Sequence, residues 1–241
     1  MITEQLRLDK FLCEMNMGTR SQVKNLIKKG RVTVNANTVL RPEQKIDTKN
    51  DQVCVDGEKL CYVKHVYYML HKPAGCVSAT EDGRHATVLD YIKDEPRRQE
   101  LFPVGRLDLD TEGLLLMTND GELAHRLLSP VHHVPKTYYA KIKGQVTGQD
   151  VEDFARGLDI GEKKPTKPAE LTILQAGELS EILVIITEGK FHQIKRMFAC
   201  VGKEVIYLKR IRMGSLQLDE NLAPGEYRPL TEEEVLALQK G

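Results

Sequence analysis

Residues 105–120 read GRLDLDTEGLLLMTND, so three carboxylates (Asp108, Asp110 and Glu112) stand within five positions, between Arg106 and the apolar run 114–117. Mutual repulsion and desolvation both raise the cost of keeping such groups ionised beside an apolar wall. Either they lie in solvent, or one of them does chemistry as a nucleophile or base. A hydrolase acting on glycosidic bonds would also use two acids, but it needs carboxyls about 5 to 10 Å apart on separate segments, and it would release a free base. The single crowded segment fits that pattern poorly.

Other features bound the chemistry. The chain has 241 residues, 41% hydrophobic and 29% charged, and no apolar run approaches the roughly 18 residues of a membrane span. These values predict a soluble globular protein of one large domain, or a small one joined to a larger. The opening MITEQLRLDK is charged and lacks the apolar core of a signal peptide, which predicts a cytoplasmic chain. Five cysteines (Cys13, Cys54, Cys61, Cys76 and Cys200) form no C-x-x-C pair, so neither a disulfide framework nor a zinc site is expected, and the thiols are expected to be reduced and mostly buried. No glycine-rich phosphate loop is present, which implies no nucleotide cofactor.

Basic and acidic residues balance at 35 each, but their distribution is uneven. Residues 18–31 carry five basic residues and no acidic one, residues 188–212 carry seven Lys or Arg against Glu188 and Glu204, and the C-terminal end is acidic. Segregated charge leaves positive patches suited to phosphates, whereas a single run is more often a solvated helix face.

The first basic run belongs to a helix, helix, strand pattern. Leu8, Phe11, Leu12 and Met15 recur at helical spacing; Gly18 stops that helix; Ser21 is placed to cap a second, in which Val23, Leu26 and Ile27 share one face and Lys24, Lys28 and Lys29 the other. An alternating strand follows in RVTVNANTVL, then another before a turn at Asp56-Gly57. RLDKFL, SQVKNLIKKGRVTVN and the closing strand resemble the S4 RNA-binding domain over about residues 6–52. One departure is the order Thr19-Arg20-Ser21-Gln22, where that domain usually has Ser-Arg. The resemblance implies that Arg20, Lys24, Lys28 and Lys29 contact RNA phosphates.

From Val66 onward the sequence predicts strands at VYYMLHKPAG, GLLLMT, KTYYAKIKG, AELTIL, EILVIIT and EVIYLKRIRMG. It predicts helices at TVLDYI, at NDGELAHRLLSP with an Asn119/Glu122 capping box, at GQDVEDFARGL and at FHQIKRMFACVG. Hairpins and irregularly placed helices predict an α+β fold, with a mixed, mainly antiparallel sheet flanked by helices. The expected organisation is an N-terminal domain over 1–60, a linker over 61–65 and a larger domain over 66–241.

HKPAG, VGRLDLDTEGLLLMTNDGELAHRLLSP, KTYYAKIKG, EGKFHQIKRMFACVG and LAPGEYRPLTEEE, in this order, resemble the RsuA-type pseudouridine synthases. That resemblance implies an isomerase that converts uridine to pseudouridine in ribosomal RNA, without cofactor or metal, as a cytoplasmic monomer. The branch it most resembles modifies 16S rRNA; a 23S rRNA enzyme and a non-catalytic S4-type ribosome-assembly protein are the alternatives. By motif, Asp108 is the catalytic carboxylate, and Lys195, where many relatives have arginine, is its fixed cation. Tyr138 stacks on the uracil, and Arg106 contacts the RNA. Arg196, Lys209, Arg210 and Arg212 form a phosphate-receiving wall. Asp110 and Glu112 are read as structural or solvated, Tyr139 as pointing to the opposite strand face, and Lys72-Pro73 with Gly75 as a turn at the cleft edge. The alternative for Arg106 is a surface salt bridge with Asp110 or Glu112. His132, His133 and His192 lack a ligand constellation and are read as RNA contacts or packing.

Overall fold

The helical spacing near the N-terminus resolves into α1 (Leu8–Glu14) and α2 (Arg20–Lys28) in a computed structural model that describes residues 5–60, 64–129 and 131–240. Leu8, Phe11, Val23 and Ile27 are buried against Val32, Val53 and Val55, and Leu26 packs on that core half-buried. These valines belong to a four-stranded antiparallel sheet in the order Asn37–Thr38, Val32–Val34, Val53–Val55, Glu58–Leu60. The cap of α2 is Thr19 rather than Ser21. Thr19 Oγ1 accepts from the Gln22 backbone N–H at 3.4 Å, and Gln22 Oε1 accepts from the Thr19 N–H at 2.8 Å. The T-x-x-Q spacing closes a reciprocal box two positions earlier, leaving Ser21 in the first turn.

The chain divides into two compact units, one of residues 1–64 with Glu95–Gln99, the other of His65–Asp94 with residues 100–241. The excursion at 95–99 therefore groups with the first unit. Residues 61–63 of the expected linker, and Cys61 with them, lie outside the described residues. Of the remaining cysteines only Cys76 is buried; Cys13 and Cys54 are half-buried and Cys200 is exposed, so the expectation of mostly buried thiols does not hold.

The second unit is built on a nine-stranded sheet. Its strands are β1 (Tyr67–Lys72), β2 (Phe102–Pro103), β3 (Glu112–Thr118), β4 (Lys136–Lys143), β5 (Glu170–Gln175), β6 (Leu179–Ile186), β7 (Glu204–Met213), β8 (Leu216–Gln217) and β9 (Tyr227–Pro229). The order is β5-β6-β4-β7-β3-β1-β9, with β2 beside β3 and β8 beside β7; β3 and β7 run parallel and the other neighbours antiparallel. Helices α3 (Gly121–Leu128), α4 (Gly148–Arg156), α5 (Gln193–Cys200) and α6 (Glu232–Lys240) belong to the same unit, as does a short parallel pair of Cys76–Val77 with Ala86–Thr87. This is the α+β architecture expected from the hairpins. Two local expectations change. Residues Val88–Tyr91 form a 3-10 turn instead of an α-helix. Asp120 caps α3, accepting from Leu123 N at 3.0 Å, while the Asn119 side-chain oxygen accepts from Val66 N at 2.9 Å.

The parallel pair decides where residues 105–111 go. Gly113 sits at φ +108° opposite Arg210, and a Cβ there would lie 2.2 Å from the Arg210 carbonyl oxygen. Only glycine permits this approach. The loop that precedes β3 is thereby delivered next to β7, at the middle of the sheet.

On β4, Tyr138, Ala140 and Ile142 are buried together, in a core shared with Phe154 of α4, Ile182 of β6 and Phe198 of α5. The period-2 alternation of the strand thus sends Tyr138 to the α5 face and Tyr139 to the other.

Candidate active site

Residues 105–111 are clamped from the backbone up. Ser78 Oγ donates to the Leu107 carbonyl at 3.0 Å and accepts from the Leu107 N–H at 2.9 Å. Gly75 N donates to the Leu109 carbonyl at 2.7 Å. Lys72 is fully buried, and its ammonium donates to three carbonyls, those of Pro73 (3.0 Å), Asp108 (3.0 Å) and Thr111 (2.8 Å). Burial pulls its pKa below the ordinary lysine value, with the thiol of Cys76 and the carboxylates of Asp110 and Asp108 acting in the opposite sense. The Lys-Pro turn is therefore a brace for the carboxylate loop, a role that sequence reading missed, and its residues are absent from the lining of the cleft whose edge they were expected to form.

With its backbone so fixed, Asp108 aims at the N-terminal end of α5. Its carboxylate lies 3.3 Å from Lys195 Nζ and 3.7 Å from His192 Nε2. His192 is the left-handed N-cap residue of that helix (φ 49°) and Lys195 is three positions on, so both stand on one side of the first turn. That spacing was the available signal for His192, which sequence reading left to packing or RNA contact. The helix end carries positive potential, so it and the lysine both set positive charge in front of the carboxylate.

The other two carboxylates behave differently. Asp110 has a side chain 71% exposed and accepts from Lys195 Nζ at 2.5 Å. Partial burial pushes its pKa up, but the lysine's hydrogen bond and charge prevail and hold it below the usual aspartate value. Glu112 accepts from the Tyr207 hydroxyl at 2.7 Å, and that tyrosine packs edge-on against Tyr139, with ring centroids 6.1 Å apart. Burial and a hydrogen bond to Glu181 push the Tyr139 hydroxyl up to about 12. Glu112, Tyr139 and Tyr207 are thus tied to one another's surroundings, and they are absent from the cleft lining.

The cleft itself has a volume of about 470 Å³ and is lined by Ser78, Arg106, Asp108, Tyr138, Ile186, Phe191, His192 and Lys195, among others. Asp108 is the one carboxylate in that lining among the described residues. Arg106 is exposed and, among the described residues, forms no ion pair, so the expected alternative of a bridge to Asp110 or Glu112 is not present. A cleft with one carboxylate, one lysine beside it, and an aromatic ring in its wall suits reaction at an electrophilic carbon bearing a planar base.

The expected phosphate wall is corrected at one position. Arg210 stands opposite Tyr138 in the β4–β7 register and is 2% exposed, its Nε donating to the Leu114 carbonyl at 2.8 Å. It braces β3 against β7 and does not face solvent. Arg196 is half-buried, held by Glu162 Oε1 (2.8 Å) and by the carbonyls of Phe191 (3.1 Å) and Ile160. Lys209 is half-buried, and Arg212 is exposed. Arg20, Lys24 and Lys28 on α2, and Lys29 at its C-terminal cap, are all exposed. His132 and His133 are exposed, with His133 Nδ1 2.7 Å from Lys167 Nζ. Among the described residues no three His, Cys, Asp or Glu side chains are grouped as a metal site, and no helix is long and apolar enough to cross a membrane.

Comparison with known proteins finds the same two parts. Residues 66–200 match the RNA pseudouridylate synthase family, and residues 6–53 match the S4 domain. The uncharacterized RNA pseudouridine synthase YtzG of Bacillus subtilis (strain 168) is 47% identical, covering 98% of this chain and 99% of its own. The ribosomal small subunit pseudouridine synthase A of Escherichia coli (strain K12) is 43% identical over 97% of this chain and 100% of its own. A crystal structure of a pseudouridylate synthase superposes with a TM-score of 0.69 at 40% identity, covering 97% of this chain and 99% of that one.

Proposed function

The chain belongs to the RNA pseudouridylate synthase family, and from that premise we propose that it isomerises a specific uridine of small-subunit (16S) ribosomal RNA to pseudouridine, with Asp108 as the catalytic carboxylate. The reaction breaks the bond between uracil N1 and ribose C1′ and forms one between uracil C5 and C1′. C5 gives up a proton and N1 gains one, so the formula is unchanged and no redox partner enters.

The observation that carries this reading is the placement of Asp108. Among the described residues it is the one carboxylate in the cleft lining, set 3.3 Å from Lys195, in a cleft whose wall includes the buried ring of Tyr138. The pairing sets a cation beside the carboxylate that would attack or abstract a proton, and Tyr138 offers a face to the uracil. Arg106, exposed at the same cleft, is suited to the RNA strand around a target base held out of its stack. Small-subunit rRNA is supported by the relatives of that name, which match end to end. The exposed lysines of α2 support RNA docking by the N-terminal unit, with Lys209 and Arg212 contributing phosphate contacts in the second. The chain is proposed to act as a monomer in the cytoplasm, where ribosomal RNA is assembled.

The test is pseudouridine mapping of ribosomal RNA from cells lacking the gene. One small-subunit site should be lost, restored by the wild-type gene and not by Asp108→Asn. Loss confined to large-subunit RNA would overturn the subunit assignment, and restoration by Asp108→Asn would overturn the role of that residue.

A further inference from the structure

Phe191 is the only aromatic among the exposed large hydrophobic side chains of the described residues, at 71% exposure, and it lines the same cleft as Asp108. Its position is not that of a loose loop. One face of the ring stacks on the His192 imidazole, with centroids 3.8 Å apart and planes inclined by 19°. His192 is in turn held in the left-handed conformation at the start of α5, its Nε2 3.7 Å from Asp108. The Phe191 carbonyl accepts from Arg196 Nη1 at 3.1 Å. Just before it, Lys190 N donates to Gln193 Oε1 at 2.9 Å, and Lys190 Nζ donates to the carbonyls of Lys164 (2.6 Å) and Pro165 (2.8 Å). A large apolar ring is thus fixed on both sides in sequence and backed on one face, while most of its surface meets water. An exposed aromatic ring backed by a neighbour held in the left-handed conformation, next to reacting groups, is a mark of function.

We infer that Phe191, backed by His192, is a stacking shelf for an unpaired RNA base adjacent to the target uridine. Taking one nucleotide out of its stack also exposes a face of each neighbour, and a flat aromatic surface replaces the lost stacking without reading base identity. The cleft lining supplies Arg106, Lys190 and Lys195 around the shelf and, among the described residues, Asp108 as its one carboxylate, so the strand meets little like charge. Leu109, 39% exposed on the carboxylate loop, is the other exposed large apolar residue of the lining. The inference rests on the RNA-modifying reading above and adds a nucleotide beyond the target to it.

The test compares binding by the full chain and its Phe191→Ala, Phe191→Leu and Phe191→Tyr variants. One probe is a small-subunit rRNA fragment containing the mapped target; a second is a uridine-containing single-stranded oligonucleotide. Both are used intact and with an abasic residue at each position in turn. Alanine and leucine should weaken binding of intact RNA by about 5- to 150-fold, while tyrosine should restore it. The loss should vanish on RNA made abasic at one position adjacent to the target, and the salt dependence should stay unchanged because no phosphate contact is removed. Since the side chain is exposed, the thermal midpoint should not move. Unchanged affinity of Phe191→Ala, or a loss equal on every abasic RNA, would overturn the shelf. Conversion of no uridine by the wild-type protein would instead count against the proposed function, and the oligonucleotide scan would still decide the shelf.

Discussion

Lys72 and Asp108 are joined through the backbone: the buried ammonium donates to the Asp108 carbonyl at 3.0 Å, and the Asp108 carboxylate points to Lys195 instead. The two lysines therefore divide the work, one fixing where the loop lies and the other setting a cation in front of its carboxylate. Lys72→Met keeps the aliphatic volume and leaves three carbonyls without their donor. Relief of a buried charge offsets part of that loss, so the net destabilisation should be about 2 to 3 kcal/mol. Because a displacement of about 1 Å at a reacting group costs on the order of 100-fold, kcat should fall by that much while RNA affinity holds. Thermal unfolding and single-turnover rates would check both. A variant with normal turnover would show that Gly75 and Ser78 suffice to hold the loop.

Lys195 is shared between Asp108 at 3.3 Å and Asp110 at 2.5 Å. Removing its charge with Lys195→Met should lower the single-turnover rate by about 100- to 1000-fold, the range for losing a preorganised electrostatic partner. Lys195→Arg should retain activity to within about tenfold, since a guanidinium supplies the same charge with a second donor. Asp110→Asn removes an exposed partner, whose pairing is typically worth at most about 1 kcal/mol, so its rate should fall by less than about fivefold. An Asp110→Asn variant as inactive as Asp108→Asn would reverse the roles of the two carboxylates.

Tyr138 and Tyr139 show what was legible beforehand, because strand period alone puts neighbours on opposite faces and the KTYYAKIK run keeps that period throughout. Lys195 was legible by motif. Arg210 and Lys72 were not: a charged residue is assigned to the surface by default, and only the register opposite Tyr138, or the three carbonyls around one ammonium, reveals the exception. The cap positions failed for a related reason. Thr19 against Ser21, and Asp120 against Asn119, are equally good capping types, and the choice depends on where tertiary packing starts the helix. The parallel pairing of β3 with β7 is likewise set by contacts between residues about a hundred positions apart, beyond the reach of local pattern.

Lys136, two positions before Tyr138, should leave a signature in the pH dependence of stability. Burial, with the nearby charge of Arg210, brings its pKa down to about 8 from an ordinary 10.5. Between those values the unfolded chain binds the proton that the folded protein has lost, so stability gains a contribution that rises with pH. Below about pH 8 the lysine is charged in both states and its burial weighs against folding. Lys136→Met should therefore exceed the wild type in thermal midpoint most at pH 7, and the gap should narrow toward pH 10. A gap independent of pH would place the titration of Lys136 outside this window.

On α2 and at its C-terminal cap, Lys24, Lys28 and Lys29 are exposed, and none is held in an ion pair among the described residues, which leaves all three free to displace counterions from a nucleic acid. Each phosphate so neutralised contributes a slope of about −0.7 on single strands and about −0.9 on duplex in log affinity against log salt. Replacing all three by alanine in the full chain should weaken binding to a small-subunit rRNA fragment and make the slope less steep by about 2 to 3 units. The core side of the helix, Val23 and Ile27, is untouched, and alanine favours helix, so the thermal midpoint should hold. Asp108, Tyr138 and Lys195 lie in the other unit, so the single-turnover rate at saturating RNA should stay within about twofold of wild type. An unchanged slope would mark the lysine face as solvated only, and the search for the phosphate-binding surface would move to Lys209 and Arg212 on β7.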